Sequence, residues 1–176
     1  LASCSQKSEI RHGNLRLRWN DKFQTQVILN DGKEDVITPG WQSSEYLVGK
    51  GFQATEFQLK DIQYPEVNGL AWKTAAIIRG EFAQNEIRLE KVVTYQYTDS
   101  LSDFLLVKVA YINTGEKPVE ITHWYNHAYT LPAAGDHPAF WSFQGSSDPS
   151  RHDWIMPIDS AFYRENYMGM NASDYG

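Results

Sequence analysis

Two histidines, His123 and His127, lie four residues apart in the segment VAYINTGEKPVEITHWYNHAY (109–129), among tryptophan, tyrosine and asparagine side chains. On a helix, this spacing would let both imidazoles bind one zinc ion. On a strand, the two side chains share a face but lie about 13 Å apart, because a strand rises about 3.3 Å per residue. That separation is too large for a shared zinc, whose bonds to histidine nitrogen are about 2 Å long.

The residues around the histidines favour a strand. NTGEKP (113–118) is typical of a turn, because asparagine and glycine accept left-handed backbone conformations. The segment after it alternates between two faces, and one face is predicted to carry Val119, Ile121, His123, Tyr125, His127 and Tyr129. We therefore predict no metal site here, and we interpret the histidines as polar rings on a partly buried sheet face.

Strand patterns also dominate the rest of the chain. Apolar and polar residues alternate in 14–19, 23–29, 86–98 and 103–113, and NDGKE (30–34) is a hairpin signal. No stretch of ten or more residues carries a helical apolar stripe with caps, and residues 130–160 are typical of long loops. These patterns predict an all-β fold of antiparallel strands with long loops.

Composition excludes several classes of function. The 176 residues fit one domain, and a net charge of -6 without a basic stripe argues against nucleic-acid binding. No apolar run is long enough to span a membrane. The single cysteine rules out an internal disulfide and a cysteine-based zinc site, and no motif calls for a cofactor.

That cysteine, Cys4, lies in the opening sequence LASCSQKS. Leu-Ala-Ser-Cys resembles a bacterial lipobox, where a leader is removed and the cysteine receives lipid. Residues 1–9 would then be a lipobox remnant and a disordered tail, and the protein would be exported to the periplasm or cell surface on a lipid anchor. The alternative is an ordinary disordered tail with a free thiol.

The second half of the chain carries a family resemblance. VKVAYINTGEKPVEI (107–121), WSFQGSSDPSRHDWIMPI (141–158) and YMGMNASDYG (167–176) resemble the N-terminal domain of bacterial alpha-galactosidase-like enzymes of the melibiase clan. The resemblance implies a β-supersandwich, galactose mutarotase-like, over residues 10–176. It also implies that a catalytic (β/α)8 barrel follows in the full-length chain. The catalytic carboxylates would belong to that barrel, so we expect none in this chain.

The resemblance further implies that loops of the sandwich line the sugar pocket. Trp141 and Trp154 offer flat faces for a pyranose ring, and Arg151 and Asp153 offer hydrogen bonds to hydroxyl groups. Asn171 and Asp174 are candidates for the same polar role. For each tryptophan, the alternative is packing within the domain.

Three hypotheses for function remain at this point. The first is a non-catalytic domain of an exported glycoside hydrolase that supports the barrel and contributes to sugar binding. The second is a stand-alone carbohydrate-binding module, which predicts sugar affinity in this chain alone. The third is a mutarotase-like sugar epimerase, which needs a histidine and a glutamate as acid and base around one pocket. His123 or His127 is available, but the sequence identifies no glutamate partner.

Overall fold

The computed structural model describes residues 8–30, 34–38, 40–65, 71–130, 141–143 and 155–157, and these contain strands and no helix. No helix able to cross a membrane is therefore found in those ranges. The strands are β1 (Glu9–His12), β2 (Leu15–Trp19), β3 (Thr25–Asn30), β4 (Glu34–Val36), β5 (Tyr46–Gly49), β6 (Phe52–Ala54), β7 (Gln58–Gln63), β8 (Lys73–Gln84), β9 (Ile87–Tyr97), β10 (Leu106–Asn113), β11 (Ile121–Tyr125), β12 (Trp141–Phe143) and β13 (Ile155–Pro157).

The first sheet is an antiparallel meander in the order β1-β2-β3-β4. Its inward side chains include Leu17 and Trp19 of β2, both of which are buried. β3 and β4 pair across the NDGKE segment, with Asn30 opposite Glu34. The predicted hairpin is therefore confirmed.

The second sheet is a meander of longer strands in the order β10-β9-β8-β7. β9 shows why it forms a strand: Leu89, Lys91, Val93 and Tyr95 point inward and are buried, while the residues between them are more exposed. This is the alternation predicted for residues 86–98. The alternation places one lysine, Lys91, on the core face.

The third sheet has the order β11-β5-β6, so β11 pairs with a strand from much earlier in the chain. β5 and β6 bury alternate residues, whereas every residue of β11 is exposed. Trp124 retains 72% of its surface, although it lies opposite the buried Leu47.

All three sheets lie within the compact unit Leu1–Leu131 and share one hydrophobic core. The largest side chains of that core come from strands of every sheet and from two connecting segments: Trp19, Phe23, Leu47, Phe57, Ile78 and Tyr95. The prediction of an all-β fold of antiparallel strands is confirmed, and packing of several sheets on one core is consistent with a β-sandwich.

The predicted alternation after the NTGEKP turn holds only in part. The pairing of β11 with β5 shifts at a bulge between Ile121 and His123, so those two residues no longer share one uninterrupted alternation. His123 and Tyr125 keep the predicted common face. His127 lies beyond the end of the strand, and its φ of 56° is left-handed, so the prediction of one long strand to Tyr129 was wrong.

The second compact unit, Pro132–Gly176, contains the antiparallel pair β12 and β13, with Trp141 opposite Pro157. Residues 130–160, which the sequence predicts to form long loops, thus contain two short strands. Their aromatic and branched residues, WSF and IMP, suit a strand better than a loop. The prediction of a single sandwich domain over residues 10–176 stays a prediction.

Candidate functional site

Aromatic side chains form a row on the outer face of the β11-β5-β6 sheet. Tyr46 and Tyr125 lie opposite each other, and their rings stack with centroids 4.4 Å apart and planes inclined by 13°. The ring of His123 stacks on Tyr125 with centroids 6.4 Å apart. Because Leu47 is buried, alternation turns its neighbour Tyr46 toward solvent. The sheet thus presents a flat aromatic surface.

An open groove of about 770 Å³ lies beside this row, and we call it the tyrosine groove. Tyr46 and Tyr129 supply its aromatic lining, and Glu56 is its single charged side chain in the described part of the chain. Its other polar side chains are amides and hydroxyls: Gln24, Gln42, Ser43, Gln53, Thr55 and Thr130. The groove therefore combines neutral hydrogen-bonding groups with half-buried aromatic rings.

One part of the groove wall is fixed by its own hydrogen bonds. The Gln42 amide donates to the backbone oxygen of Thr130 at 2.9 Å and accepts from its backbone nitrogen at 2.5 Å. By contrast, the side chains of Ser43, Gln53 and Thr55 make no hydrogen bond to another described residue. These three side chains remain able to bind a ligand in a groove that is already formed.

A buried lysine lies deeper in the same unit. Lys91 is fully buried, and its Nζ donates to the backbone oxygen of Glu45 at 3.0 Å. The ammonium lies 4.0 Å from the ring centroid of Phe23 and 4.8 Å from that of Phe57, so both rings contribute cation–π attraction. Burial lowers the pKa of Lys91 to about 8, although the charge of Glu45 opposes that shift.

Space for Phe23 above the lysine comes from a glycine. Gly80 of β8 lies directly opposite Lys91, and a Cβ atom there would lie 2.5 Å from Cδ1 of Phe23 and 3.1 Å from Cβ of Phe57. The missing side chain therefore lets the Phe23 ring approach the ammonium group.

The Glu45 side chain is buried in the same interior, with only 1% of its surface exposed. Its Oε2 accepts a hydrogen bond from Ser44 Oγ at 2.6 Å. Its Oε1 is buried without a hydrogen-bond partner in the described residues, and so is the hydroxyl of Tyr111. Burial, and then the charge of Glu45, raises the pKa of Tyr111. Lys91 is thus bound through the backbone of Glu45, and the Glu45 carboxylate influences the pKa of Lys91 and of nearby tyrosines through its charge.

A chain of hydroxyl groups connects this interior to the tyrosine groove. Ser44 Oγ lies 2.6 Å from Thr25 Oγ1, which in turn lies 3.3 Å from the Tyr129 hydroxyl. Burial, and then Glu45, raises the pKa of Tyr129, so this groove residue keeps its proton at neutral pH. The groove wall and the buried carboxylate belong to one polar network.

The two histidines have separate environments. The His123 ring contacts Thr122 and Tyr125, whereas Nδ1 of His127 lies 3.9 Å from the unpartnered Oε1 of Glu45. That distance is too long for a hydrogen bond, but it places the buried Glu45 carboxylate beside an imidazole that is 54% exposed. Within the described ranges, no three His, Cys, Asp or Glu side chains form a group that could hold a metal ion.

The residues predicted from the sequence for sugar binding stay a prediction, because none of their side chains is described. Trp141 lies in β12, and its side chain is not described. Arg151, Asp153, Trp154, Asn171, Asp174 and the predicted lipidation site Cys4 all lie outside the described residues.

The tyrosine groove and the buried Lys91 and Glu45 were not identified from the sequence. Lys91 was detectable, because it is in phase with Leu89, Val93 and Tyr95 on an alternating strand. Glu45 carries no such signal, since it precedes a short strand in an irregular segment. Comparison with known proteins adds nothing to this geometry: no family model, no curated protein and no solved structure matches the chain.

Proposed function

We propose that this chain is a non-catalytic carbohydrate-binding domain of an exported glycoside hydrolase, and that it binds sugar in the tyrosine groove. The observation that supports this proposal is the lining of that groove, where amides and hydroxyls adjoin the half-buried ring of Tyr46. Small-ligand sites commonly pair such an apolar wall with a few polar groups that fix orientation.

The lining favours a neutral polyhydroxy ligand over the alternatives. Hydroxyl groups of a sugar can donate to and accept from Ser43, Gln53 and Thr55, while the C–H face of a pyranose can lie on a tyrosine ring. A phosphate or nucleotide would meet no lysine or arginine among the described lining residues, and Glu56 would repel it.

The place of the domain in a larger enzyme rests on the sequence resemblance alone. An alpha-galactosidase-like hydrolase would supply the catalytic barrel as the partner of this domain, with the acid, the base and the nucleophile outside this chain. Export and a lipid anchor at Cys4 belong to the same proposal. The lining of the groove supports the further proposal that the chain binds sugar by itself, as a binding module does.

Tyr46→Ala is expected to weaken sugar binding about tenfold, which corresponds to about 1.4 kcal/mol, because it removes the half-buried aromatic ring from the groove lining. Tyr46→Phe keeps that ring and is expected to stay within about threefold of the wild type. Isothermal titration of the full chain with methyl α-galactoside and methyl α-glucoside measures both effects.

The control for this experiment is Trp72→Ala. Trp72 is a partly exposed aromatic residue that packs against Phe104 and does not line the groove, so its removal is expected to leave affinity unchanged. Absence of binding by any of the sugars, or equal affinity in Tyr46→Ala and the wild type, would refute the proposal.

One contact favours the epimerase as a second candidate. Glu45, which the sequence did not identify, is the carboxylate beside His127, and the left-handed backbone of His127 is a conformation that recurs at functional sites. Because Glu45 is buried, only His127 can reach a ligand. The pair would act as one oriented proton-transfer group and not as two groups on either side of a sugar.

His127→Ala separates this candidate from simple binding. If the chain interconverts anomers, the wild type should accelerate the mutarotation of glucose or galactose above the buffer rate, and His127→Ala should abolish that acceleration. Polarimetry measures the rate, and His123→Ala, which leaves the Glu45 contact intact, is the matched control. A wild-type rate equal to the buffer rate eliminates the epimerase.

A further inference from the structure

A second groove, of about 650 Å³, adjoins the tyrosine groove. It is lined on one side by the segment Asp21–Lys22 and on the other by the end of β8, which includes Glu81, Phe82 and Ala83. Its volume and that of the tyrosine groove each fall in the range of a small-molecule site.

The two grooves meet along one segment of chain. Gln53, Thr55 and Glu56 line both of them, so a ligand that crosses this segment contacts the two grooves at once. We propose that the ligand of this domain is a neutral oligosaccharide, with one sugar unit against Tyr46 and another in the second groove. This inference rests on the proposed sugar binding and specifies its ligand class.

The shared segment is held in place, so the double groove exists before a ligand binds. Phe57 donates its backbone N–H to the backbone oxygen of Lys22 at 3.1 Å, and Leu59 donates to that of Asp21 at 2.8 Å. Ala54, between Gln53 and Thr55, and Phe57, directly after Glu56, are fully buried. A preformed site loses little conformational entropy when it binds.

The second groove offers a different set of contacts for the second sugar unit. The half-buried ring of Phe82 provides apolar surface, and carboxylates provide acceptors for hydroxyl groups. Two of these carboxylates are ion-paired, Glu56 with Lys22 at 3.1 Å and Glu81 with Lys60 at 3.2 Å. Such exposed pairs contribute little stability, so they can rearrange around a ligand.

Charge decides which oligosaccharides fit. Among the described lining residues, the second groove has three carboxylates, those of Asp21, Glu56 and Glu81, and one ammonium group, that of Lys22. Lys60, which pairs with Glu81 from outside the lining, still leaves the carboxylates in excess. An anionic glycan that carries uronic acids or sulfates would be repelled there, whereas a neutral chain of hydroxyl-bearing rings would not. The proposed ligand class is therefore neutral.

Two series of sugars of increasing length test the proposal, with affinity for the full chain as the measured quantity. Titration with galactose, melibiose and raffinose, and with glucose, maltose and maltotriose, is expected to show at least one series in which affinity rises about tenfold from one sugar unit to two or three. Galacturonic acid oligomers are expected to bind at least tenfold more weakly than the best neutral oligosaccharide.

A variant that obstructs the second groove tests whether the second sugar unit binds there. Ala83→Trp places a large side chain in the second groove at an exposed strand position, and it should lower oligosaccharide affinity to the monosaccharide level without changing monosaccharide affinity. Ala110→Trp, on the exposed face of β10 and away from both grooves, is the control and should change neither affinity.

Each outcome has one meaning. Equal affinity for monosaccharides and oligosaccharides, or unchanged oligosaccharide affinity in Ala83→Trp, overturns the double groove while sugar binding stands. Preference for the anionic oligomers overturns the assigned ligand class. If no sugar of any length binds, the proposed function itself fails, and this inference fails with it.

Discussion

Gly80→Ala is expected to lower the free energy of unfolding by about 1–3 kcal/mol, the usual cost of overpacking a core. The new methyl group would lie 2.5 Å from the ring of Phe23, which is itself buried and covers Lys91. Either the ring moves away from the ammonium group or β8 moves away from β9. Both outcomes lose packing where the core contains its only described ammonium group. Urea denaturation of the variant and the wild type measures the difference.

A matched glycine separates this packing effect from a general effect of alanine. Gly115 lies in the turn after β10, where the nearest atom to an added Cβ is a side-chain oxygen of the exposed Asn113 at 3.3 Å. Gly115→Ala is expected to change stability by less than about 0.5 kcal/mol. If the Gly80 variant is as stable as the Gly115 variant, Phe23 does not depend on the missing side chain.

Between pH 8 and pH 10, the free energy of unfolding of the wild type is expected to rise, and Lys91→Met is expected to remove that rise. Burial lowers the pKa of Lys91 from 10.5 to about 8 in the folded protein, with Glu45 opposing the shift. In this window the unfolded chain binds more protons, so stability increases with pH. Between pH 8 and pH 10.5, the titration of Lys91 is expected to raise the free energy of unfolding by about 3 kcal/mol, at about 1.4 kcal/mol per pKa unit.

Buried tyrosines set the upper end of that window. Burial, followed by the charge of Glu45, raises the pKa of Tyr95, Tyr111 and Tyr129 above the ordinary value of 10.0. The folded protein then keeps protons that the unfolded chain releases, so these groups lose their stabilising contribution as pH rises above 10. The wild type should therefore be most stable near pH 10, and Lys91→Met should instead show a plateau from pH 8 followed by the same decline.

Urea titrations at pH 7, 8, 9 and 10 measure this dependence. Lys108→Met removes an exposed lysine from β10 and is expected to keep the wild-type rise, which makes it the matched control. An unchanged slope in Lys91→Met would mean that Lys91 is not the group that titrates in this window.

Strands with uninterrupted alternation were predictable. β2, β9 and β10 fall inside the segments that the sequence marks as alternating, because one of their faces packs on the core and the other does not. The hairpin at residues 30–34 was predictable because Asn-Asp-Gly suits the tight turn between β3 and β4.

Strands with bulges and irregular ends were not predictable in the same way. β8 was missed, since its run Ala75-Ala76-Ile77-Ile78 has no clean alternation and its pairing with β9 shifts between Thr74 and Ala76. β11 was predicted too long because no sequence pattern indicates the left-handed backbone at His127. The groove combines β5, β6 and the segment after β11, and only tertiary pairing brings these together.

The pairing of β11 with β5 has a consequence for the order in which the protein folds. Strands β7 to β10 each pair with a neighbour in sequence, whereas the Thr122 hydroxyl reaches the backbone oxygen of Val48 across 74 residues. Closing so large a loop costs more entropy than forming a hairpin, and contacts of long sequence separation slow folding. The meander therefore has the kinetic advantage, and the Tyr46–Tyr125 stack assembles late. We therefore expect a newly made chain to form the β7–β10 meander before it forms the surface that would recognise a sugar.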